Sequence, residues 1–230
     1  MSSPSNASTS SRAGSTPGGT DHAATGLPAV GAGDHRTALL IIDMQNAFFE
    51  HETLAASRDA LVAACNTLIE AAVRSGAPVL VARTEHLPDR STWTTSMLDD
   101  DQGFIFRGSH QAEMVRGLQV HLFVIVTKTR DSAFFGTDLA ERLRALGVDE
   151  LMLAGVSAHN CVAHTGADAF AHDFRVSYVS DAIGHTNKKY AEAMLEILSA
   201  EYRQPIVDLA DAVARLGRGL LSAEHEEATG

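Results

Sequence analysis

Cysteine and basic side chains are scarce in this 230-residue chain, and each scarcity removes a class of answer. Two cysteines, Cys65 and Cys161, cannot staple a disulfide scaffold. With no apolar signal core near the N-terminus, the expected compartment is a reducing cytoplasm. Eighteen Lys and Arg stand against 29 Asp and Glu, a formal net charge of −11, so neither nucleic acid nor an anionic membrane surface is an expected partner. No apolar run approaches the roughly 20 residues that span a bilayer. What remains is a globular composition, 45% hydrophobic, at a length that suits one α/β domain.

Residues 1–34 are rich in Ser, Thr, Gly, Ala and Pro, offer little to bury, and read as a disordered tail. Residues 222–230 carry three glutamates and no large apolar side chain, and read as a flexible C-terminal tail. Between them, residues 35–221 alternate two patterns. Apolar runs at Ala38–Asp43, Val79–Ala82, Leu122–Thr127, Leu151–Ala154, Val176–Val179 and Pro205–Val207 read as strands. Their continuous apolarity predicts burial on both faces, as in a parallel sheet. Helical stretches separate them at Ala55–Arg74, Thr137–Leu146, Cys161–His172, Lys188–Ser199 and Leu209–Arg215, several closed by glycine as in Ser75-Gly76 and Leu146-Gly147. Such alternation predicts right-handed βαβ units in a three-layer α/β/α sandwich around a six-stranded, mainly parallel sheet. The interval from His86 to Val120 breaks the rhythm; a long connection at strand ends is an active-site wall or an oligomer contact.

Three chemically apt residues end or follow apolar runs: Asp43, Lys128 and Cys161. Each has a bland reading on its own, as a turn cap, a snorkelling strand-end lysine and a small core residue respectively. Placed together outside the carboxyl ends of one parallel sheet, where such sheets bind ligands, they make a nucleophilic site. Cys161 supplies sulfur, and its position near a helix N-terminus predicts a lowered thiol pKa. Asp43 is placed to take the thiol proton and pass it to a leaving amine, and Lys128 to hold the charges. The backbone N–H groups of Ser157 and Cys161 are the candidate oxyanion hole.

These segments resemble those of the isochorismatase-like cysteine hydrolases. Leu40-Ile41-Ile42-Asp43-Met44-Gln45-Asn46-Ala47-Phe48 is similar to the opening motif of that family. Lys128 with Asp131-Ser132-Ala133-Phe134 and Gly136-Thr137-Asp138-Leu139 is similar to its lysine segment. Gly155-Val156-Ser157, Cys161-Val162, Thr165 and Asp168-Ala169-Phe170 are similar to its nucleophile segment, and Arg107-Gly108-Ser109 with Ala112-Glu113 to an element of the long connection. The resemblance covers about residues 37–210. It implies a six-stranded parallel sheet, an Asp43–Lys128–Cys161 triad, a cis peptide between Val156 and Ser157, and a homo-oligomer (dimer or tetramer). Members that cleave a vinyl ether lack the cysteine, so Cys161 points to C–N hydrolysis of a small-molecule amide or ureido compound through a thioester.

No cofactor is expected. The nicotinamidases of the family carry Asp-x-His after the second strand, where this chain has Thr84-Glu85-His86; one histidine does not satisfy zinc, so no metal is expected. Gln45, Phe48, Trp93, Phe134, His159 and Asn160 are candidates for the substrate pocket. Cys65, mid-helix among Leu61, Val62, Leu68 and Ile69, reads as core. The stripe His164, Asp168, His172 reads as a solvated or subunit-facing helix side. Two rivals stand beside the amidohydrolase: an isochorismatase-type vinyl-ether hydrolase using Asp43 and Lys128, and a non-catalytic scaffold of the same fold. The identity of the substrate and the exact oligomeric state are not legible in one chain.

Overall fold

The apolar runs form a sheet because their side chains find cover on both sides. In the computed structural model, which describes residues 36–120 and 123–217, the strands are β1 (Thr37–Ile42), β2 (Val79–Thr84), β3 (Val124–Lys128), β4 (Glu150–Gly155), β5 (Arg175–Ile183) and β6 (Ile206–Val207). All neighbours are parallel, in the order β3-β2-β1-β4-β5-β6. Period two along β1 splits its side chains between two cores. Ala38, Leu40 and Ile42 face helices α3 (Leu139–Ala145), α4 (Ala163–Ala171) and α5 (Lys188–Tyr202). Leu39 and Ile41 face α1 (Glu52–Ser75) and α6 (Leu209–Gly217). This is the expected three-layer α/β/α sandwich with a six-stranded parallel sheet. The two tails read from composition, 1–34 and 222–230, lie outside the described residues.

The chain reverses its direction of winding at β1, which sits between β2 and β4. Loops leaving the two sides diverge there, and a crevice opens at the carboxyl ends. Gly155 closes β4 against β1: its φ is +116°, and a Cβ would lie 2.0 Å from the Ile42 carbonyl oxygen. Only glycine allows that approach.

Three boundaries differ from the sequence reading. The helix expected to begin at Cys161 is preceded by a wide π turn over Ala158–Val162, in which the Val162 N–H reaches the Ser157 carbonyl five residues back. Val124 and Ile125 are 44% and 40% exposed, against the expectation of burial on both faces, because β3 is an edge strand. The long connection is ordered: it contains the short helix α2 (Thr95–Asp99) and a 3-10 turn, His110–Ala112. Glu85, nearly fully buried, ties it down through Arg107 Nε at 3.2 Å and Arg83 Nη2 at 3.1 Å. Among the described residues no helix is long and apolar enough to cross a membrane.

Candidate active site

Asp43 is the residue after β1, and it takes a left-handed φ of +52°. An aspartate tolerates that conformation better than most residues, and the sharp turn it makes directs the carboxylate under the strand ends. Lys128 closes β3, two strands away. Both side chains are completely buried, and Lys128 Nζ lies 2.7 Å from Asp43 Oδ2. Cys161, 5% exposed, brings its Sγ to 3.5 Å from the same ammonium. The structure therefore brings together the three groups expected from the sequence.

The ammonium has three protons and four acceptors around it. Besides Asp43 and the sulfur, Nζ donates to the Thr84 hydroxyl at 2.7 Å and to the Arg130 carbonyl at 3.0 Å. The Thr84 hydroxyl in turn donates to Asp43 Oδ1 at 3.0 Å. Thr84 is thus a bridge between acid and amine, a role the sequence reading missed because it treated this position only as a missing metal ligand. Gln45 holds the bridge in register. Its Oε1 accepts from the Thr84 N–H at 2.8 Å, while Nε2 donates to the carbonyls of Thr84 at 2.8 Å and Ala112 at 2.9 Å. One buried amide thereby joins the ends of β1 and β2 to the long connection.

Burial alone would depress the Lys128 ammonium, but Asp43 and the Cys161 sulfur more than offset it, and its pKa stands above the ordinary lysine value. The Cys161 thiol is pushed well up, first by burial and then by the Asp43 charge, with Lys128 opposing. This corrects the lowered thiol pKa expected from a helix N-terminus: burial first, and then the Asp43 charge, raise it. A raised pKa favours the neutral thiol, which donates to Asp131 Oδ1 at 3.8 Å.

Above these groups lies a cavity of about 570 Å³. Cys161 and Thr84 form its floor, Phe48, His86 and Phe104 its apolar and aromatic wall, and Thr94, Ser96 and Met97 of the α2 region its far side. Of the expected pocket residues, Phe48 lines this cavity. The others lie elsewhere. Gln45 is fully buried with its amide engaged as described. Trp93 stands behind the wall, its indole N–H donating to the Leu87 carbonyl at 2.8 Å. Phe134 packs in the core against Phe174 and His172. His159 turns toward Tyr190, ring centroids 5.8 Å apart, and Asn160 is exposed to solvent. Sequence patterning cannot separate these places, because an aromatic near a catalytic motif packs equally well behind the pocket.

Val156–Ser157 is a cis peptide, and Ser157 begins the turn that carries Cys161. His86 is buried, with Nδ1 2.9 Å from the Thr92 carbonyl and a pKa lowered chiefly by burial. Along α4, His164 turns toward Asn160 and Asp131, whereas His172 stacks on Phe134, so the stripe does not converge. Both cysteines are free; Cys65 is core, its thiol pushed up to about 12 by burial.

The chain and its fold have counterparts among known proteins. Residues 37–211 match the isochorismatase domain. A protein of Arabidopsis thaliana described as a probable inactive nicotinamidase is 35% identical over 158 residues, 64% of this chain and 79% of its own length. A probable isochorismatase of Pseudomonas chlororaphis is 34% identical over 157 residues, 67% of this chain and 74% of its own. Among solved structures, the N-carbamoylsarcosine amidase of Thermoplasma acidophilum superposes with a TM-score of 0.65 at 26% identity, covering 76% of this chain and 96% of that one.

Proposed function

The chain belongs to the isochorismatase family, and from that premise we propose that it hydrolyses a C–N bond, amide or ureido, in a small molecule, with Cys161 as nucleophile. The observation that carries this reading is the buried contact of one ammonium, Lys128 Nζ, with both the Asp43 carboxylate at 2.7 Å and the Cys161 sulfur at 3.5 Å on the floor of an accessible cavity. A likeness to an amidase of the same fold points the same way.

Because the thiol rests protonated, its proton must leave as the sulfur attacks. Asp43 takes that proton while the carbon–sulfur bond forms, and the carbonyl oxygen gains the charge. The N–H groups of Ser157 and Cys161 face that oxygen in this reading. Collapse breaks the C–N bond, and Asp43 returns the proton to the nitrogen, which departs as ammonia or amine. Water then adds to the thioester carbonyl as Asp43 accepts its proton; the carbon–sulfur bond breaks, the acid leaves, and Asp43 returns the proton to the sulfur. Lys128 stays charged throughout. Its ammonium stays within 2.7 Å of the carboxylate and 3.5 Å of the sulfur, and offsets negative charge as it passes between them.

A vinyl-ether hydrolysis through Asp43 and Lys128 is the second reading, favoured by the likeness to a probable isochorismatase. A reducing cytoplasm, which keeps Cys161 free, and a homo-oligomeric assembly belong to the first reading. Release of ammonia or amine from a panel of amides, ureido acids and lactams, wild type beside Cys161→Ala, tests the proposal. The variant should lose at least 10³-fold, by the magnitude seen when an enzyme's nucleophile is removed (roughly 10⁶). Turnover retained by Cys161→Ala refutes the thiol mechanism, and activity of that variant on isochorismate would establish the second reading.

A further inference from the structure

Beside the nucleophile stands a second carboxylate that the reaction above leaves unused. Asp131 Oδ1 accepts a hydrogen bond from Cys161 Sγ at 3.8 Å; the residue lines the cavity and its side chain is 60% exposed. Its basic neighbours make their hydrogen bonds elsewhere. Arg130 lines the same cavity, but its Nη1 donates to the carbonyls of Thr92 at 2.9 Å and Thr129 at 2.6 Å, and its Nη2 to that of Trp93 at 3.3 Å. His164 Nδ1 is 4.0 Å from Asp131 Oδ2, yet the Asn160 carbonyl lies 2.8 Å from the same nitrogen and takes its proton. Asp43 and Lys128, both buried, are paired with each other. The lining also carries Asp100, so it holds two carboxylates and one guanidinium, whose hydrogen bonds all go to backbone carbonyls.

Resting on the hydrolase reading, we propose that Asp131 is a specificity residue that selects substrates bearing a cation, an ammonium or guanidinium group, beside the scissile C–N bond and rejects those bearing a carboxylate there. A substrate cation seated on Asp131 completes an ion pair at the edge of the reacting atoms; a carboxylate there meets like charge. The same contact couples binding to reactivity. Asp131 is one of the charges that hold the thiol protonated, and a bound cation offsets it, so the preferred substrate eases its own nucleophile's ionisation.

Thiol labelling reads this charge without a known substrate. Full-length protein is treated at low salt with a methanethiosulfonate carrying a trimethylammonium group and with one carrying a sulfonate, each rate normalised to free cysteine. Cys65 is completely buried and Cys161→Ala supplies the blank. Wild type should favour the cation by about tenfold, the scale of one screened unit charge a few ångströms away. Asp131→Asn should erase that preference and Asp131→Glu should keep it. With an amide substrate in hand, Asp131→Asn should raise KM for a cationic amide and lower it for the matching anionic one. Equal rates with the two reagents, or a preference unchanged in Asp131→Asn, would overturn the inference and leave the hydrolase reading standing. A Cys161 that reacts with neither reagent would sink both.

Discussion

Removing Lys128 and Asp43 together should cost less stability than the sum of removing each alone. Lys128→Met deletes the ammonium and leaves a carboxylate with no exposure, facing the Thr84 hydroxyl and the Cys161 sulfur alone. At 2.7 Å, two unit charges attract by about 6 kcal/mol at an effective dielectric of 20. Breaking one side of such a buried pair costs roughly 3–5 kcal/mol, because the survivor stays desolvated. A domain of this size has on the order of 5–15 kcal/mol in total, so the single variant should unfold at much lower urea. Asp43→Asn/Lys128→Met carries neither charge, and its cost should fall below the sum of the two single variants by about 2 kcal/mol or more. All three should be inactive, so equilibrium urea unfolding, not turnover, separates them. The measurement belongs at pH 7. Lys128's pKa is raised by folding, so the pair contributes fully below the ordinary lysine value of 10.5 and is lost only as pH rises through the higher folded value. Additivity within about 0.5 kcal/mol would refute the claim that the pair is coupled.

Thr84→Val should cost roughly 1–3 kcal/mol in urea unfolding, since it removes the donor to Asp43 Oδ1 while Lys128 keeps three acceptors for its three protons, whereas Thr84→Ser should retain most stability and activity; equal losses in both would remove the hydroxyl from the network. Gly155→Ala places a methyl 2.0 Å from the Ile42 carbonyl at a φ of +116°, so a soluble variant with an unchanged thermal midpoint would contradict the packing described. Alkaline pH should destabilise the fold through Cys65. Its thiol ionises near 9.0 when unfolded and near 12 when folded, so stability is intact below 9.0 and falls by roughly 4 kcal/mol on approach to 12. Cys65→Ala should flatten that limb of a pH–unfolding curve; an identical curve would refute the assignment.

Strand order along the sheet was not in the sequence, but strand identity was. Each interior run, such as Ala38–Ile42 or Leu151–Ala154, is apolar without interruption because both of its faces are covered, and that signal survives in one dimension. At the edge the same signal misled: Val124 and Ile125 look like a buried strand and stand half-exposed. Motif order likewise carried the site. Asp43, Lys128 and Cys161 were recognisable because each ends or follows a strand in the sequence of a known family, and they meet at one ammonium.

What the chain determined by itself is whatever local chemistry can encode: periodicity, glycine caps, and the residue types that acyl transfer requires. Tertiary structure alone decided the rest. Gln45 was read as a pocket residue and became a buried clamp, because its three hydrogen-bond partners come from residues 39 and 67 positions away. Thr84 became the bridge between acid and amine only when β2 settled between β1 and β3. The thiol's proton affinity followed from burial and from a carboxylate 118 residues distant, not from the helix it precedes. Desolvation and Coulomb forces depend on distances in space, and no spacing along a chain specifies those until the sheet has closed.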